Sequence, residues 1–244
     1  MALPKIGIQY YDLDLISGKR VQYRPFTVKE EKILLVANES KDQKQISNAL
    51  RTVLNNCLVQ EEGEERVVVE DLPMFDVEHL FLHIRMKSVG ETSDFNVTCE
   101  ECEGSPQVKT TLDLRNVKIE NEDRGEPERI MLNSDVGIEI QYPPFRALLE
   151  RSKGSKSPDE NPLMAIEMIS DCINKIFDSK ETYTRKDFSR KEIDDFVDSL
   201  SQVHLKKINE FFERMPKLTY DLKVQCPCGK VIERKLQGIN DFFS

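Results

Sequence analysis

Four of the six cysteines occur as two close pairs, and their spacing is the clearest sign of chemistry in the chain. Cys99 and Cys102 stand in TCEEC, and Cys226 and Cys228 stand in QCPCG. A CxxC on a hairpin turn places two thiolates around one tetrahedral zinc ion. The CxC pair is one residue tighter and chelates with more strain. Together the four thiols predict a closed, structural zinc site that joins two distant parts of the chain.

Two other interpretations of these cysteines stay open. The two hairpins can be ordinary turns that hold no metal. A thiol redox pair is disfavoured, because the Cys99 pair does not open a helix whose N-terminus would stabilise a thiolate. Cys57 and Cys172 lie on apolar helical faces, and we interpret both as small core residues.

The histidines give a weaker signal than the cysteines. His79 and His83 are four residues apart on one predicted helix, as two metal ligands would be, but no Glu follows His79 as in a metalloprotease HExxH motif. We interpret them as ordinary histidines at the surface or at the edge of the core. The sequence also has no phosphate-binding glycine loop and no nucleophile elbow, so we predict that the protein is not an enzyme.

Composition narrows the class of partner. The chain has 244 residues, 39% hydrophobic and 32% charged, with a net charge of −9. An acidic chain is poorly suited to phosphate backbones, so composition favours protein partners or no steady partner, and no nucleic acid. No apolar run reaches the roughly 20 residues that a membrane span needs. The opening MALPKIGIQYYDL lacks the pattern of a signal peptide, so we expect a reducing cytoplasm, where disulfides are uncommon.

The first part of the chain reads as a hairpin, three helices and a second hairpin. Ser17-Gly18 marks the first turn, and Thr27 to Glu30 fits a capping box that begins a helix. Apolar residues at helical spacing predict helices over about 42–59 and 75–89. The alternating segments FNVTC and QVKTTLDL then flank the first cysteine pair.

The same order returns after a charged connector at residues 118–129. A hairpin of IMLN and IEIQYPPF precedes a predicted helix NPLMAIEMISDCINKIF. A capping box from Ser189 to Glu192 and the helix SQVHLKKINEFFERMP follow, and the last hairpin carries CPCG.

We interpret this order as an internal duplication. VQYRPF at 21–26 matches IQYPPF at 140–145, and Cys99 falls opposite Cys226. The predicted division is 1–117, a connector at 118–129, and 130–244. The predicted fold is α+β, with helices packed on small antiparallel hairpins and a zinc-knuckle-like cysteine site. Two unrelated α+β segments with similar turns are the alternative.

The chain ends in GINDFFS, which carries two large apolar residues. Phe242 and Phe243 either fold back over the last hairpin or dock into a partner. We expect them to fold back.

Several landmarks together resemble a known family. RPFTVKEEKILL follows the first hairpin, LFLHIRMKSVGE ends the third helix, and KINEFFERMPKLTYDLKVQCPCGKVIERKLQGINDFF closes the chain. These segments resemble the T4-type bacteriophage baseplate hub protein family, which contains hub subunits and hub assembly factors. The resemblance implies a non-enzymatic role in the central hub of a contractile tail, with other baseplate hub proteins as partners. It also implies assembly in the host cytoplasm, after which the protein either remains in the virion tail baseplate or acts as a chaperone and leaves.

A second class of function predicts a different surface. A zinc-stabilised binding module with a regulatory or nucleic-acid-directed role requires a basic face near the cysteines. The second pair has such residues nearby, whereas glutamates crowd the first pair. The basic residues are Lys223, Lys230, Arg234 and Lys235, and the acidic ones are Glu100, Glu101 and Glu103.

Overall fold

The computed structural model describes residues 7–60, 66–99, 102, 107–121, 123–151 and 162–243 of the chain. These residues form α-helices and short antiparallel strands, which confirms the predicted α+β class. The strands form four small sheets within the described ranges, in the orders β1-β2-β3, β10-β9-β8-β7, β12-β11-β6 and β4-β5.

The elements of the first part follow local signals closely. Thr27 donates its backbone N–H to the Glu30 carboxylate at 2.8 Å, so the predicted capping box begins the first long helix. Asp42 caps the second helix by accepting from the backbone of Lys44 at 2.8 Å. In chain order the elements are β1 (Tyr11–Asp14), β2 (Arg20–Tyr23), α1 (Val28–Ser40), α2 (Gln43–Cys57), β3 (Leu58–Val59), α3 (Met74–Ser88), β4 (Thr92–Thr98), β5 (Gln107–Asp113) and β6 (Lys118–Glu120).

The second part has a similar order with additions. Ser189 and Glu192 form the predicted capping box, with the Ser189 N–H donating to the Glu192 carboxylate at 2.7 Å. The elements are β7 (Glu128–Met131), β8 (Gly137–Ile140), α4 (Phe145–Arg151), α5 (Pro162–Cys172), β9 (Ile173–Phe177), β10 (Thr182–Thr184), α6 (Arg190–Asp198), α7 (Gln202–Glu213), β11 (Lys217–Gln225), β12 (Val231–Gln237) and α8 (Gly238–Phe243).

One predicted helix was too long. The helix expected to run through Phe177 ends at Cys172, and INKIF forms β9 instead. β9 pairs with β8, with Ile176 opposite Ile138. The β-branched Ile173 and Ile176 favour a strand. A strand here also satisfies backbone N–H and C=O groups of β8, which a longer helix would leave without a partner.

Each of the two parts contains a backbone hydrogen bond at an equivalent place. The backbone N–H of Arg24 donates to the Cys57 carbonyl, and that of Gln141 donates to the Cys172 carbonyl, both at 2.9 Å. By this hydrogen bond Arg24 is the counterpart of Gln141. The match of VQYRPF with IQYPPF instead makes Gln22 the counterpart of Gln141. The segment 118–129 contains β6 and the start of β7. The duplication and its boundaries therefore remain a prediction.

Buried apolar side chains form three cores in the described residues. The first lies among β1, β2, α2 and α3, and the second lies among β8, β9 and helices α5 to α7. The third is built from both cysteine-bearing hairpins, with Val97 and Leu112 from one and Leu222 and Val224 from the other. This third core holds the two hairpins together.

The last helix closes the third core. The Phe242 side chain is 0% exposed, and its carbonyl accepts a hydrogen bond from the Ser93 hydroxyl at 3.3 Å. The predicted fold-back is therefore confirmed for Phe242. The Phe243 side chain lies outside the described part of the structure.

Candidate metal centre

The tips of two hairpins carry the four cysteines. Cys99 directly follows β4, and Cys102 lies in the connection to β5. Cys226 directly follows β11, and Cys228 lies in the turn to β12. Because the third core packs the hairpins against each other, their tips meet.

The four sulfur atoms lie within 4.8 Å of one another. The Cys102 and Cys226 sulfurs, which come from different hairpins, are 3.6 Å apart. Thiolates placed tetrahedrally at about 2.3 Å from a zinc-like ion are roughly 3.8 Å apart. The sulfur cluster thus has the size of a four-thiolate metal site, and the four cysteines could bind a metal ion.

The site is shielded on one side and open on the other. Cys99 and Cys226 are each 2% exposed, Cys102 is half-buried and Cys228 is exposed. All four are free thiols. A metal bound here would lie at the surface of the third core, with two ligands inside the protein and two at its edge.

The turn that carries Cys226 and Cys228 is held by its backbone. The Cys226 N–H donates to the Lys230 carbonyl at 2.8 Å, and the Gly229 N–H donates to the Cys226 carbonyl at 2.9 Å. Gly229 has φ +90°, a conformation that glycine adopts without steric cost. The CPCG spacing is therefore that of a tight hairpin turn with glycine in its left-handed position.

Backbone donors and crowding act on the thiols in opposite directions. The Lys230 N–H, followed by the neighbouring thiols, lowers the pKa of Cys228 to about 7. The Cys228 N–H acts most strongly on Cys226 and favours its thiolate, but burial and hydrogen bonds with the Cys228 and Cys99 thiols outweigh it and raise the Cys226 pKa. Hydrogen bonds with Cys228, Cys99 and Cys226 raise the pKa of Cys102. Four thiolates this close repel one another without a cation, which is the electrostatic condition of a metal-thiolate site.

The other two cysteines play the predicted part. Cys57 and Cys172 are both 0% exposed within the first and second cores. Burial raises the pKa of Cys57 to about 12, so this thiol stays protonated.

His79 and His83 line a cleft of about 450 Å³ between β1 and α3. Their ring centroids are 4.7 Å apart with planes nearly perpendicular. Burial, and secondarily His83, lowers the pKa of His79 to about 4. Within the described residues the only cluster of three or more metal-type ligands is the cysteine group. The pair is therefore a neutral, half-buried contact, in keeping with its predicted place at the edge of the core.

Asp76 is a buried carboxylate that sequence reasoning missed. It is 0% exposed, and its Oδ1 accepts from the Ser17 N–H at 3.1 Å. Among the described residues, Asp76 Oδ2 and the Ser17 hydroxyl have no hydrogen-bond partner. Its place in the first turn of α3, after Pro73, was the available signal, because a carboxylate is favourable at a helix N-terminus.

Two of the four basic residues near the second cysteine pair form ion pairs. Lys223 pairs with Glu233 at 2.8 Å, and Lys235 pairs with Glu120 at 2.6 Å. The glutamates of the first pair, Glu100, Glu101 and Glu103, lie outside the described residues. The hairpin surface around Lys223 and Lys235 is therefore a set of ion pairs and not a cationic face.

No described helix combines the length and the apolar character needed to cross a membrane. No curated protein and no solved structure gives a significant match to the chain. The profile of one protein family, described as T4 bacteriophage base plate protein, matches residues 9–244. This match includes both hairpins, all six cysteines and the final helix, and the chain therefore belongs to the T4 bacteriophage base plate protein family.

Proposed function

We propose that this chain is a non-enzymatic protein of the central hub of a contractile-tail baseplate, acting as a hub subunit or as a hub assembly factor. The observation that carries the proposal is the family match over residues 9–244. The protein works through contacts with other baseplate hub proteins, is made in the host cytoplasm and enters the tail baseplate. The hub assignment itself rests on the C-terminal landmarks from KINEFF to INDFF.

The charge distribution supports protein partners over nucleic acid. The net charge of −9 disfavours phosphate backbones, and Lys223 and Lys235 are already paired with carboxylates. We therefore expect no salt-sensitive shift of DNA mobility in the presence of the purified protein. Such a shift would favour the zinc-stabilised, nucleic-acid-directed module.

Deletion of the gene from the phage tests the hub role. We expect tail assembly to stop before a complete hub forms, and complementation with the wild-type gene to restore it. A tag for co-purification belongs at the N-terminal side, where Ile8 and Tyr10 are about half exposed, because Phe242 is buried. The proposal is wrong if tails assemble normally without the protein and neither tails nor assembly intermediates contain it.

For the cysteines we propose one structural zinc ion per chain, bound by Cys99, Cys102, Cys226 and Cys228. The support is the sulfur cluster within 4.8 Å and its fit to tetrahedral thiolate geometry. With four protein ligands the ion has no open position, so it staples the two hairpins and does not bind substrate.

Elemental analysis of freshly purified protein tests the zinc proposal. We expect about one zinc per chain in the wild type and none in Cys102→Ser or Cys228→Ser. Cys172→Ala is the matched control, because it removes a cysteine from the second core and leaves the sulfur cluster intact. If the wild-type protein contains no metal and is no more stable than the Cys102→Ser and Cys228→Ser variants, the zinc proposal is wrong. The hub proposal would be unaffected.

A further inference from the structure

The sulfur cluster contains a pair of thiols that is arranged for a second chemistry. The Cys102 and Cys226 sulfurs are in contact at 3.6 Å, although the residues are 124 positions apart in the chain. We propose that this pair is a modification site, at which a peroxide forms a disulfide across the two hairpins and releases the metal. The inference rests on the zinc centre proposed above.

The thiols of Cys102 and Cys226 differ in their exposure to solvent. Cys102 is half-buried and open to a small oxidant, whereas Cys226 is 2% exposed. Oxidation of an accessible thiolate next to a shielded one leads to a disulfide, because the second thiol attacks before further oxidant arrives. Of these two thiols, Cys102 is thus the one that is oxidised, and Cys226 is the one that resolves it. Cys228 is more exposed than Cys102, but its bridge to Cys226 would have to form within one tight turn.

The turn geometry disfavours the neighbouring pair. Cys226 and Cys228 lie on one turn that two backbone hydrogen bonds close, at 2.8 and 2.9 Å. A disulfide has a specific dihedral and sulfur spacing, and a bridge over a single intervening residue inside a closed turn strains both. Cys102 approaches Cys226 from another hairpin and has no such constraint.

The chemistry balances with peroxide as the only oxidant. The Cys102 thiolate attacks one peroxide oxygen, the O–O bond breaks, and hydroxide leaves and takes a proton to become water. Cys102 is then a sulfenic acid. The Cys226 thiolate attacks its sulfur, the S–S bond forms, the S–O bond breaks, and a second water leaves after protonation. Two thiolates lose two electrons, peroxide becomes two waters and two protons are consumed.

The product keeps the hairpins joined after the metal is lost. Once Cys102 and Cys226 are bonded to each other, only Cys99 and Cys228 remain as thiolate ligands, which is too few for a closed site. The connection between the two distant parts of the chain passes from the metal to a covalent bond. A protein made in a reducing cytoplasm and carried outside the cell would retain the joint in both settings.

The test uses the full-length protein, with its metal content measured first and the reductant removed. One equivalent of hydrogen peroxide is added, free thiols are blocked, and the protein is digested without reduction. Trypsin alone leaves Cys99 with Cys102 and Cys226 with Cys228. A protease that cleaves after glutamate separates the first pair at Glu100 and Glu101, and fragmentation of the linked peptide assigns the bonded sulfur within CPCG. Peptides are identified by mass spectrometry, and released metal is measured with a chromogenic chelator.

We expect one cross-link between Cys102 and Cys226, together with loss of about one metal ion per chain. Cys228→Ser is the decisive variant, because it should still form the cross-link although it binds no metal, whereas Cys226→Ser should not. A cross-link within either hairpin, a disulfide between two chains or sulfinic acid alone would overturn the proposal. Wild-type protein that holds no metal but forms the cross-link would refute the zinc centre and uphold the thiol pair.

Discussion

The turn between β1 and β2 and the turn between β11 and β12 have the same backbone but different surroundings. In the first, the Leu15 N–H donates to the Lys19 carbonyl and the Gly18 N–H to the Leu15 carbonyl, both at 2.8 Å. Cys226, Gly229 and Lys230 repeat this pattern at 2.8 and 2.9 Å. The glycine φ angles are +84° and +90°.

The difference lies in the third residue and in what faces it. The first turn has Ser17, whose N–H donates to the buried Asp76 carboxylate. The second has Cys228, whose N–H favours the Cys226 thiolate. In both turns the backbone donor at this position points at an ionisable side chain. The glycine therefore fixes the shape of the turn, while the opposing side chains decide whether the turn meets a buried carboxylate or a set of thiols.

The largest expected effect comes from making the second turn resemble the first. In Cys228→Ser we expect loss of the metal and a fall in the free energy of unfolding of about 5 kcal/mol or more, since structural zinc sites bind with roughly 10–16 kcal/mol in peptides. Metal analysis and urea denaturation measure both. The reciprocal Ser17→Cys should gain no metal, because Asp76 and not a set of thiols faces it. Retention of metal by Cys228→Ser would remove the distinction between the turns.

The second prediction concerns the surroundings of the first turn. There the free energy of unfolding should depend on pH through His79. His79 lies one helical turn beyond Asp76, and burial lowers its pKa to about 4. The unfolded chain therefore binds a proton more readily than the folded one, so stability is retained at pH 7 and lost as pH falls from about 6.5 towards about 4. Between pH 7 and pH 5 we expect a loss of about 2 kcal/mol.

Urea denaturation at several pH values measures this loss. His79→Gln should flatten the slope, because glutamine does not titrate. His204→Gln is the control, since His204 only caps α7 through its Nδ1. An unchanged slope in His79→Gln would show that another group carries the pH dependence.

Asp76 should cause a smaller pH dependence of stability, with the opposite sign. Burial raises its pKa, and the hydrogen bond from Ser17 opposes this only in part. The folded state therefore holds the proton more tightly, and the contribution of Asp76 is present at low pH and lost as pH rises through its folded pKa. Asp76→Asn keeps an acceptor for the Ser17 N–H and removes the charge. Relative to the wild type, the stability of this variant should therefore increase as pH rises from about 4 towards pH 7. A difference that does not change with pH would contradict this account.

The smallest effect tests whether the two turns are equivalent. A methyl group added at Gly18 or Gly229 meets nothing within 4 Å, so only the positive φ opposes alanine. Gly18→Ala and Gly229→Ala should each lower the free energy of unfolding by about 1 kcal/mol. Thermal denaturation of both variants gives the comparison. Unequal costs would mean that the metal ligands, and not the backbone alone, hold the second turn.

Local sequence predicted most of the elements, because their signals are contained within a few residues. Ser17-Gly18 located the first turn, and Thr27 and Ser189 located two helix starts that the structure confirms. The meeting of the four cysteines also followed from the sequence, although the zinc ion itself remains a proposal.

The missed features depend on partners far along the chain. The helix that ends at Cys172 gives way to β9 because β8, more than thirty residues earlier, offers backbone partners. The burial of Asp76 depends on Ser17, which is 59 positions away. No local pattern contains that information. The counterpart of Gln141 was missed for the same reason. Residue identity indicates Gln22 and the hydrogen bond indicates Arg24, because strand register is set by pairing and not by residue identity.

The burial of Phe242 has a consequence for the order of events on the ribosome. The third core takes Leu82, Phe95 and Leu112 from the first half of the chain, but Phe242, which completes it, is synthesised 130 positions after Leu112. Until then these side chains have no final partner, and exposed apolar surface on a nascent chain promotes aggregation. The joint between the hairpins is therefore a late step of folding. Truncation of α8 should reduce the soluble yield of the protein more than loss of the same number of residues from an exposed loop.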